Sequence, residues 1–347
     1  MKLSGMRSPI FPNFVDFRKP TMNKFTDLET FSNQFPTNES IVEHIAKVRF
    51  GYHVKCPRCR TQAHLFLRTG RRSLSCSQCC LEIGVTSQTL FDHSKVPLRT
   101  WFYLMLIMSN SSKALSVSFV ARHLGLSRMA AFAMLSRIRL HLGALIAART
   151  LGGGGQILQV DETWVGQVKN PANTRGSGAM VFGIYSNHGV ITKIIPNRSA
   201  DVLMREILTL THPDSVFVTD ELRSYNFLGR LGFKHIRLNH SIGEYGNSAG
   251  FTCGGIEGYW GQLKYFLRSA NLAPSIDYFN GYLAEHAFRY NCHKVGKCVF
   301  QEMVSRFPMV DKQSLPQSVK FSQPKDPPAW VEFASDLLLP HSPQLGD

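Results

Sequence analysis

Two Cys-x-x-Cys pairs, Cys56-Pro-Arg-Cys59 and Cys76-Ser-Gln-Cys79, separated by sixteen residues, constrain this chain more than any other feature. Each pair places two thiolates on one side of a tight turn, and together they supply the four sulfurs of a tetrahedral structural zinc site. Four protein ligands leave no coordination position open, so the metal expected at Cys56, Cys59, Cys76 and Cys79 is structural rather than catalytic. A thioredoxin-like redox site would need one such pair ahead of a helix, and disulfides are disfavoured because the first twenty residues hold no secretory signal. Cys80 is an alternative fourth ligand, but only Cys79 completes the second knuckle. Between the pairs, residues 63–74 alternate in polarity and carry Arg68, Arg71 and Arg72, the pattern of a hairpin with a basic edge.

The charge is distributed unevenly. Residues 1–150 hold 21 Lys and Arg against 7 Asp and Glu, whereas residues 151–347 hold 18 against 17. A basic half joined to a near-neutral one predicts that the first holds a polyanion while the second does something else. At 347 residues and 44% hydrophobic content the chain has room for about two domains with real cores, which excludes a disordered polymer. The longest apolar run, 101–108, is far short of the roughly 20 residues of a membrane helix, so no membrane partner is expected. The protein reads as intracellular: cytoplasmic or nucleoid-associated, or nuclear in a eukaryotic host.

Downstream of the cysteines, Pro97 opens an apolar helix over 98–108. Leu115, Phe119, Val120 and Leu124 share one face of the next helix, Gly125 ends it, and Ser127 is placed to cap its successor, where Ala131, Leu135 and Ile138 repeat the pattern. This is a helix-turn-helix, with Arg128, Arg137 and Arg139 as the basic residues of the helix expected to enter a major groove. The alternative is a pair of helices that only pack together; the local positive charge favours DNA contact.

Gly152-Gly-Gly-Gly155 marks a boundary, beyond which the periodicity changes. Strands are expected over 156–165, 179–185, 190–195, 215–220 and 234–238, with helices over 200–210, 222–231 and 255–268, a mixed α/β order. Asp161 interrupts the first strand, and Asp220 follows Val-Phe-Val-Thr at the end of the fourth. A carboxylate buried in a sheet is unfavourable unless a cation neutralises it. Two strand aspartates joined by a helix glutamate form a hard oxygen cage for paired Mg²⁺ (or Mn²⁺) ions, which suit phosphodiester displacement. Glu257, Glu244 and Glu285 compete for the third place. Tyr259 and Trp260 read as packing residues, His240 as a structural or DNA-positioning group, and Glu285, Arg289 and Asn291, on a later helix, as a brace for the catalytic helix or as phosphate contacts.

Over roughly residues 40–295 these pieces resemble the Merlin-like insertion-sequence transposases, in which an ISXO-like catalytic domain follows a zinc ribbon. The matching segments are the two cysteine knuckles, Phe91 to Trp101 around Ser94 and Pro97, the helices ending Arg137-Ile-Arg139, and Val160-Asp161-Glu-Thr-Trp-Val-Gly166. They continue with Thr219-Asp220-Glu, Asn239-His240-Ser241, Ile256-Glu257-Gly-Tyr-Trp260 with Lys264, and Phe288-Arg289-Tyr-Asn291. The resemblance implies an RNase H-like fold, a DDE metal site of Asp161, Asp220 and Glu257, and contact of Lys264 with the transposon-end backbone. Where the family usually has an Asn before the glutamate, this chain reads Thr252-Cys-Gly254-Gly255, and Gln88 stands where the family favours Gly.

The resulting fold class is α/β, an RNase H-like catalytic domain preceded by a zinc ribbon and a helix-turn-helix. The expected division is an N-terminal segment of no assigned role (1–40), the ribbon (41–92), the helical DNA-binding region (93–151), the catalytic domain (156–307) and a proline-rich tail (308–347). The expected function is a transposase that binds terminal inverted repeats, with Arg71, Arg72, Arg128, Arg137, Arg139 and Lys264 on DNA, acting as a homodimer or higher oligomer on transposon ends and target. The rival readings are a non-catalytic DNA-binding regulator derived from such an enzyme and a structure-selective nuclease.

Overall fold

The computed structural model describes residues 26–51, 56–60, 65–147, 150–166, 178–238, 250–268 and 276–309. Two short helices come first, α1 (Leu28–Gln34) and α2 (Asn38–Phe50). Asp27 caps α1, and Thr37 with Ser40 forms a reciprocal capping box on α2. An antiparallel three-stranded sheet follows, of β1 (Leu65–Arg68), β2 (Ser73–Cys76) and β3 (Glu82–Gly84). The Arg49 guanidinium of α2 donates to the Val85 carbonyl at 2.6 Å and ties the helix to this sheet.

Three helices come next: α3 (Leu98–Asn110), α4 (Val117–Leu124) and α5 (Arg128–Ile146). Gly125 closes α4 at φ +64°, and the Ser127 hydroxyl accepts the Ala130 N–H to start α5, as the sequence predicts. α5 is long and apolar enough to cross a membrane by length and composition alone. Its apolar side chains Ala131, Met134, Leu135, Ile138 and Leu142 are instead buried in a protein core.

The second sheet contains β4 (Ile157–Gly166), β5 (Gly178–Ser186), β6 (Gly189–Ile195), β7 (Val216–Thr219) and β8 (Lys234–Arg237) in the order β6-β5-β4-β7-β8. β4, β5 and β6 form an antiparallel meander, and β7 and β8 add parallel to β4 on its other side. This order and these directions are those of the RNase H-like fold. α6 (Ala200–Leu210) covers one face with Leu203 and Ile207, against Leu158, Val160, Phe182 and Phe217. α8 (Gly254–Arg268) and α9 (Ile276–Lys294) cover the other, against Val165, Val181, Tyr185 and Val218. The expected helix over 222–231 is reduced to a 3-10 turn and the single-turn α7 (Phe227–Arg230).

The chain then returns to its first half. α10 (Val299–Val304) was expected to belong with the sheet, but Phe300, Met303, Val304 and nearby Phe307 pack in one core with Phe31, Phe35, Phe91 and Phe102. α9 reaches both cores. At one end Phe288 and Cys292 join the first, while Phe279, Leu283 and Ala287 join the second.

Candidate metal centres and active site

The four predicted cysteine sulfurs lie within 4.8 Å of one another. Cys56 and Cys79 sulfurs stand 3.5 Å apart and those of Cys59 and Cys76 3.7 Å apart, against about 3.8 Å for the edge of a tetrahedron with Zn–S bonds of about 2.3 Å. The two knuckles repeat one geometry. The Arg60 N–H donates to the Cys56 carbonyl at 2.9 Å and the Cys80 N–H to the Cys76 carbonyl at 3.1 Å. Arg60 and Cys80 both adopt the left-handed conformation, at φ 53° and 54°. Backbone N–H groups, that of Cys79 foremost, lower the pKa of Cys76 and favour the thiolate that binds metal. Cys80 is exposed and outside this group, so Cys79 completes the set. A structural Zn²⁺ fits these donors.

The acids are placed by strand parity. Leu158 and Val160 of β4 face α6, so Gln159, Asp161 and Val165 face α8. On β7, Phe217 faces α6 and Val218 faces α8, with Val218 in register with Gln159. Two residues further along each parallel strand, Asp161 and Asp220 fall side by side on the α8 face. The Asp220 carboxylate accepts the Leu222 N–H at 3.0 Å, which fixes the turn that carries it.

Glu257 arrives on the first turn of α8, and that turn is held down by two side chains. The Gln159 amide oxygen accepts the Ile256 N–H at 2.8 Å, and the Thr252 hydroxyl accepts the Gly254 N–H at 3.0 Å. Both satisfy N–H groups that a helix start leaves without partners. Gly255 is required here, because a Cβ would fall 2.3 Å from the Tyr185 ring and 2.7 Å from the Gln159 amide oxygen. The segment that departs from the family's Asn is thus a capped, closely docked helix start.

Burial raises the Asp161 pKa above the usual carboxylate range; the neighbouring Asp220 and Glu257 charges push the same way, and the Trp260 indole N–H bond opposes them. Cys253 lies within electrostatic reach of the same three carboxylates, and burial together with their charges pushes its thiol up to about 12. The three acids therefore share one locale and repel one another, an unfavourable arrangement that divalent cations relieve. Their oxygens are not within the 4.8 Å that marks the cysteine group. Two ions about 4 Å apart need a wider cradle than a single ion does.

Several supporting residues escape the sequence reading. The Trp260 indole N–H donates to Asp161 Oδ2 at 2.9 Å, although Trp260 is also buried as expected. The indole crosses Gly183, the β5 partner of Asp161; a Cβ there would lie 2.5 Å from the ring. On the opposite face, the Tyr225 hydroxyl donates to Glu162, tying the chain just after Asp220 to the residue beside Asp161. Burial foremost pushes the Glu162 carboxyl up to about 7. An alternating Asp-Glu pair on a central strand was the available signal, since adjacent acids must face opposite ways.

Other expected site residues divide sharply. Arg71 and Arg128 are exposed, Arg71 with its guanidinium 3.4 Å from Glu82, and Arg72 and Lys264 are half-buried. Arg137 and Arg139 do not fit the expected DNA contact. Arg137 is buried and donates to the Leu90 and Asp92 carbonyls at 3.1 Å, and Arg139 is buried in a 2.8 Å ion pair with Glu285. That pairing also removes Glu285 from the contest for third acid. Arg289 approaches the other Glu285 oxygen at 3.6 Å, and the Asn291 side chain bonds both backbone groups of Val190, so Glu285 and Asn291 tie α9 to α5 and β6 rather than to the helix that carries Glu257. Asn239, His240, Ser241 and Glu244 lie outside the described residues.

Residues 151–291 match the ISXO2-like transposase domain, and residues 36–82 match the transposase zinc-ribbon domain. A Haemophilus influenzae protein described as an uncharacterized transposase-like protein is 33% identical over 102 residues, covering 29% of this chain and 80% of that one. Among solved structures, the Mos1 strand transfer complex aligns at 16% identity over 42% of this chain, with a TM-score of 0.19; the chain spans 60% of that protein's length. A Mos1 mariner paired-end complex with Mn aligns at 13% identity, covering 61% of this chain and 81% of that one, with a TM-score of 0.23.

Proposed function

We propose, from the premise that this chain belongs to the ISXO2-like transposase family, that it cleaves the ends of an insertion sequence and transfers them to target DNA with Asp161, Asp220 and Glu257 as its metal ligands. The observation that carries this reading is the gathering of three carboxylates from β4, the end of β7 and the first turn of α8 on one face of the sheet, where the charges of Asp220 and Glu257 both bear on Asp161.

Asp161 is the central ligand, between Asp220 and Glu257, and two Mg²⁺ or Mn²⁺ ions are the group these donors fit. Such ions activate a water or 3′-hydroxyl and stabilise the leaving oxygen of a phosphodiester. The protein's own part is positional. Trp260 orients Asp161 from α8, Gln159 and Thr252 pin the helix start that presents Glu257, and Tyr225 with Glu162 holds the turn behind Asp220. Lys264 lies seven residues beyond Glu257, two helical turns, and so offers its ammonium to a phosphate on the same face.

The exposed Arg71 and Arg128, with the half-buried Arg72, supply contacts to the terminal inverted repeats from the ribbon and the helix-turn-helix. Two ends must be joined in one event, so the active species is a dimer or larger assembly on DNA, working where cellular DNA is.

The test is cleavage of a transposon-end duplex with Mg²⁺ or Mn²⁺. Asp161→Asn should lower the rate at least a thousandfold while zinc content and end binding stay at the wild-type level. Binding without any metal-dependent nicking by the wild-type chain would instead establish the regulator reading. Cutting of branched DNA without end preference would establish a nuclease.

A further inference from the structure

The outward face of α8 carries more than Glu257 and Lys264. At 3.6 residues per turn, Lys264 and Arg268 lie within about 20° of Glu257 around the helix, and Gly261 and Tyr265 follow within about 80°. Tyr265 is 56% exposed, a large aromatic ring with no core to pack on, while Tyr259, Leu263, Phe266 and Leu267 take the buried side. Nothing lies within 4 Å of a Cβ built at Gly258 or Gly261, so the helix backbone there is open to close approach. Arg268 is exposed and is steadied by its Nε–H bond to the Lys264 carbonyl at 3.2 Å, one turn back.

Resting on the reading of Glu257 as a metal ligand, we propose that α8 is a track for the strand that leaves the scissile phosphate, with Arg268 and Tyr265 as further DNA-contacting residues beyond Lys264. Along the axis, Lys264 stands about 10 Å and Arg268 about 16 Å from Glu257. Phosphates of a strand laid along the helix are spaced about twice the 3.4 Å axial rise of a duplex strand, so the second phosphate comes within reach of the Lys264 side chain and the third within reach of Arg268. The glycines let the sugar-phosphate backbone lie against the helix between Glu257 and these cations. Tyr265, at the side of the track, gives its ring to a sugar or an unpaired base.

The experiment is a scan of end duplexes in which single phosphates beside the cleavage site are replaced by neutral methylphosphonates, with binding measured on the full-length chain carrying Asp161→Asn. Neutralising the second or the third phosphate should weaken binding about tenfold. Arg268→Ala should weaken binding to unmodified duplex by a similar factor, lower the salt dependence by about one phosphate contact, and abolish the effect at the third position alone; Arg268→Lys should restore much of it. Tyr265→Ala should weaken binding severalfold and Tyr265→Phe should not. A third-position effect that survives in Arg268→Ala, or no effect at either position, overturns the track. Cleavage that persists in Asp161→Asn overturns the catalytic reading instead, whatever the scan returns.

Discussion

Asp161 illustrates how a single residue is prepared by neighbours that the chain brings from far away. Its carboxylate is held by the Trp260 indole, and the indole reaches it only because position 183 has no side chain. Gly183→Ala should force the ring off this path, cost about 1–3 kcal/mol of stability and lower end cleavage by about tenfold to a hundredfold with end binding retained. Trp260→Phe, which removes the donor without the clash, should reproduce the loss of rate with less loss of stability; wild-type rates in both would show that Asp161 needs no such support. Asp161, Asp220 and the cysteines are legible in the sequence because their chemistry is unusual for their local pattern: acids within apolar strands and thiols at a metal-binding spacing. The role of Gly183 is not legible, since nothing near it in the chain records that an indole from α8 will lie across it. The run Gly152 to Gly155 is the opposite case, as all four adopt positive φ, between 57° and 97°, and a four-glycine run announces such backbone in advance.

At the scale of elements, α5 does two jobs. Its first turn bears exposed Arg128 and Met129, and its later turns are buried, with Arg139 in the ion pair to Glu285 of α9 and its guanidinium 3.8 Å from the Tyr282 ring centre. A helical wheel shows Arg139 as one basic residue among three, and only the docking of α9 turns it inward. Glu285→Ala should cost about 3–5 kcal/mol by stranding a buried cation, read as a shift in the urea midpoint. The double change Arg139→Met with Glu285→Leu should cost less than Glu285→Ala alone, because only Arg289 is then left without its carboxylate; a larger, additive loss would show that the Arg139 pair itself is net stabilising. The zinc ribbon is the element most open to a direct trial. Its strands are three to four residues long, and its core contribution is little more than Leu74, Ile83 and Val85, so the metal must hold it. Chelation of its zinc should release residues 56–85 to proteolysis and lower end affinity at least tenfold, while α6 and the second sheet keep their protection against hydrogen exchange.

For the whole molecule, two buried histidines make stability depend on pH. Burial foremost lowers His141 to about 4 and His286 to about 3, and both rings are neutral in the folded chain. His141 is wholly enclosed, with Nε2 2.8 Å from the Met303 carbonyl and its ring against Phe307, so it joins α5 to the returning end of the chain. Unfolded histidine titrates near 6.5 and takes up protons first as the pH falls, so their contribution is complete above about pH 6.5 and declines toward pH 4. Between pH 7 and 5 each histidine should lower stability by the equivalent of about 2 kcal/mol, while Glu162, pushed up to about 7, works in the opposite sense. His141→Gln should therefore lose about 2 kcal/mol less than the parent chain over that range by urea midpoint; an equal loss would place the dependence elsewhere. That closure of the chain on itself is where sequence and structure part company. Periodicity and spacing determine what each segment forms locally: the knuckles, the strands, the two capped helices and the order of acids, because those depend on neighbours a few residues away. Only tertiary packing decides that α10 joins the first core, that Arg137 and Arg139 are sealed from solvent, and that Glu257 rather than Glu285 meets the aspartates. Those outcomes turn on which apolar faces find one another across more than a hundred residues, and burial alone then sets whether a charged side chain is a contact for DNA or a tie within the protein.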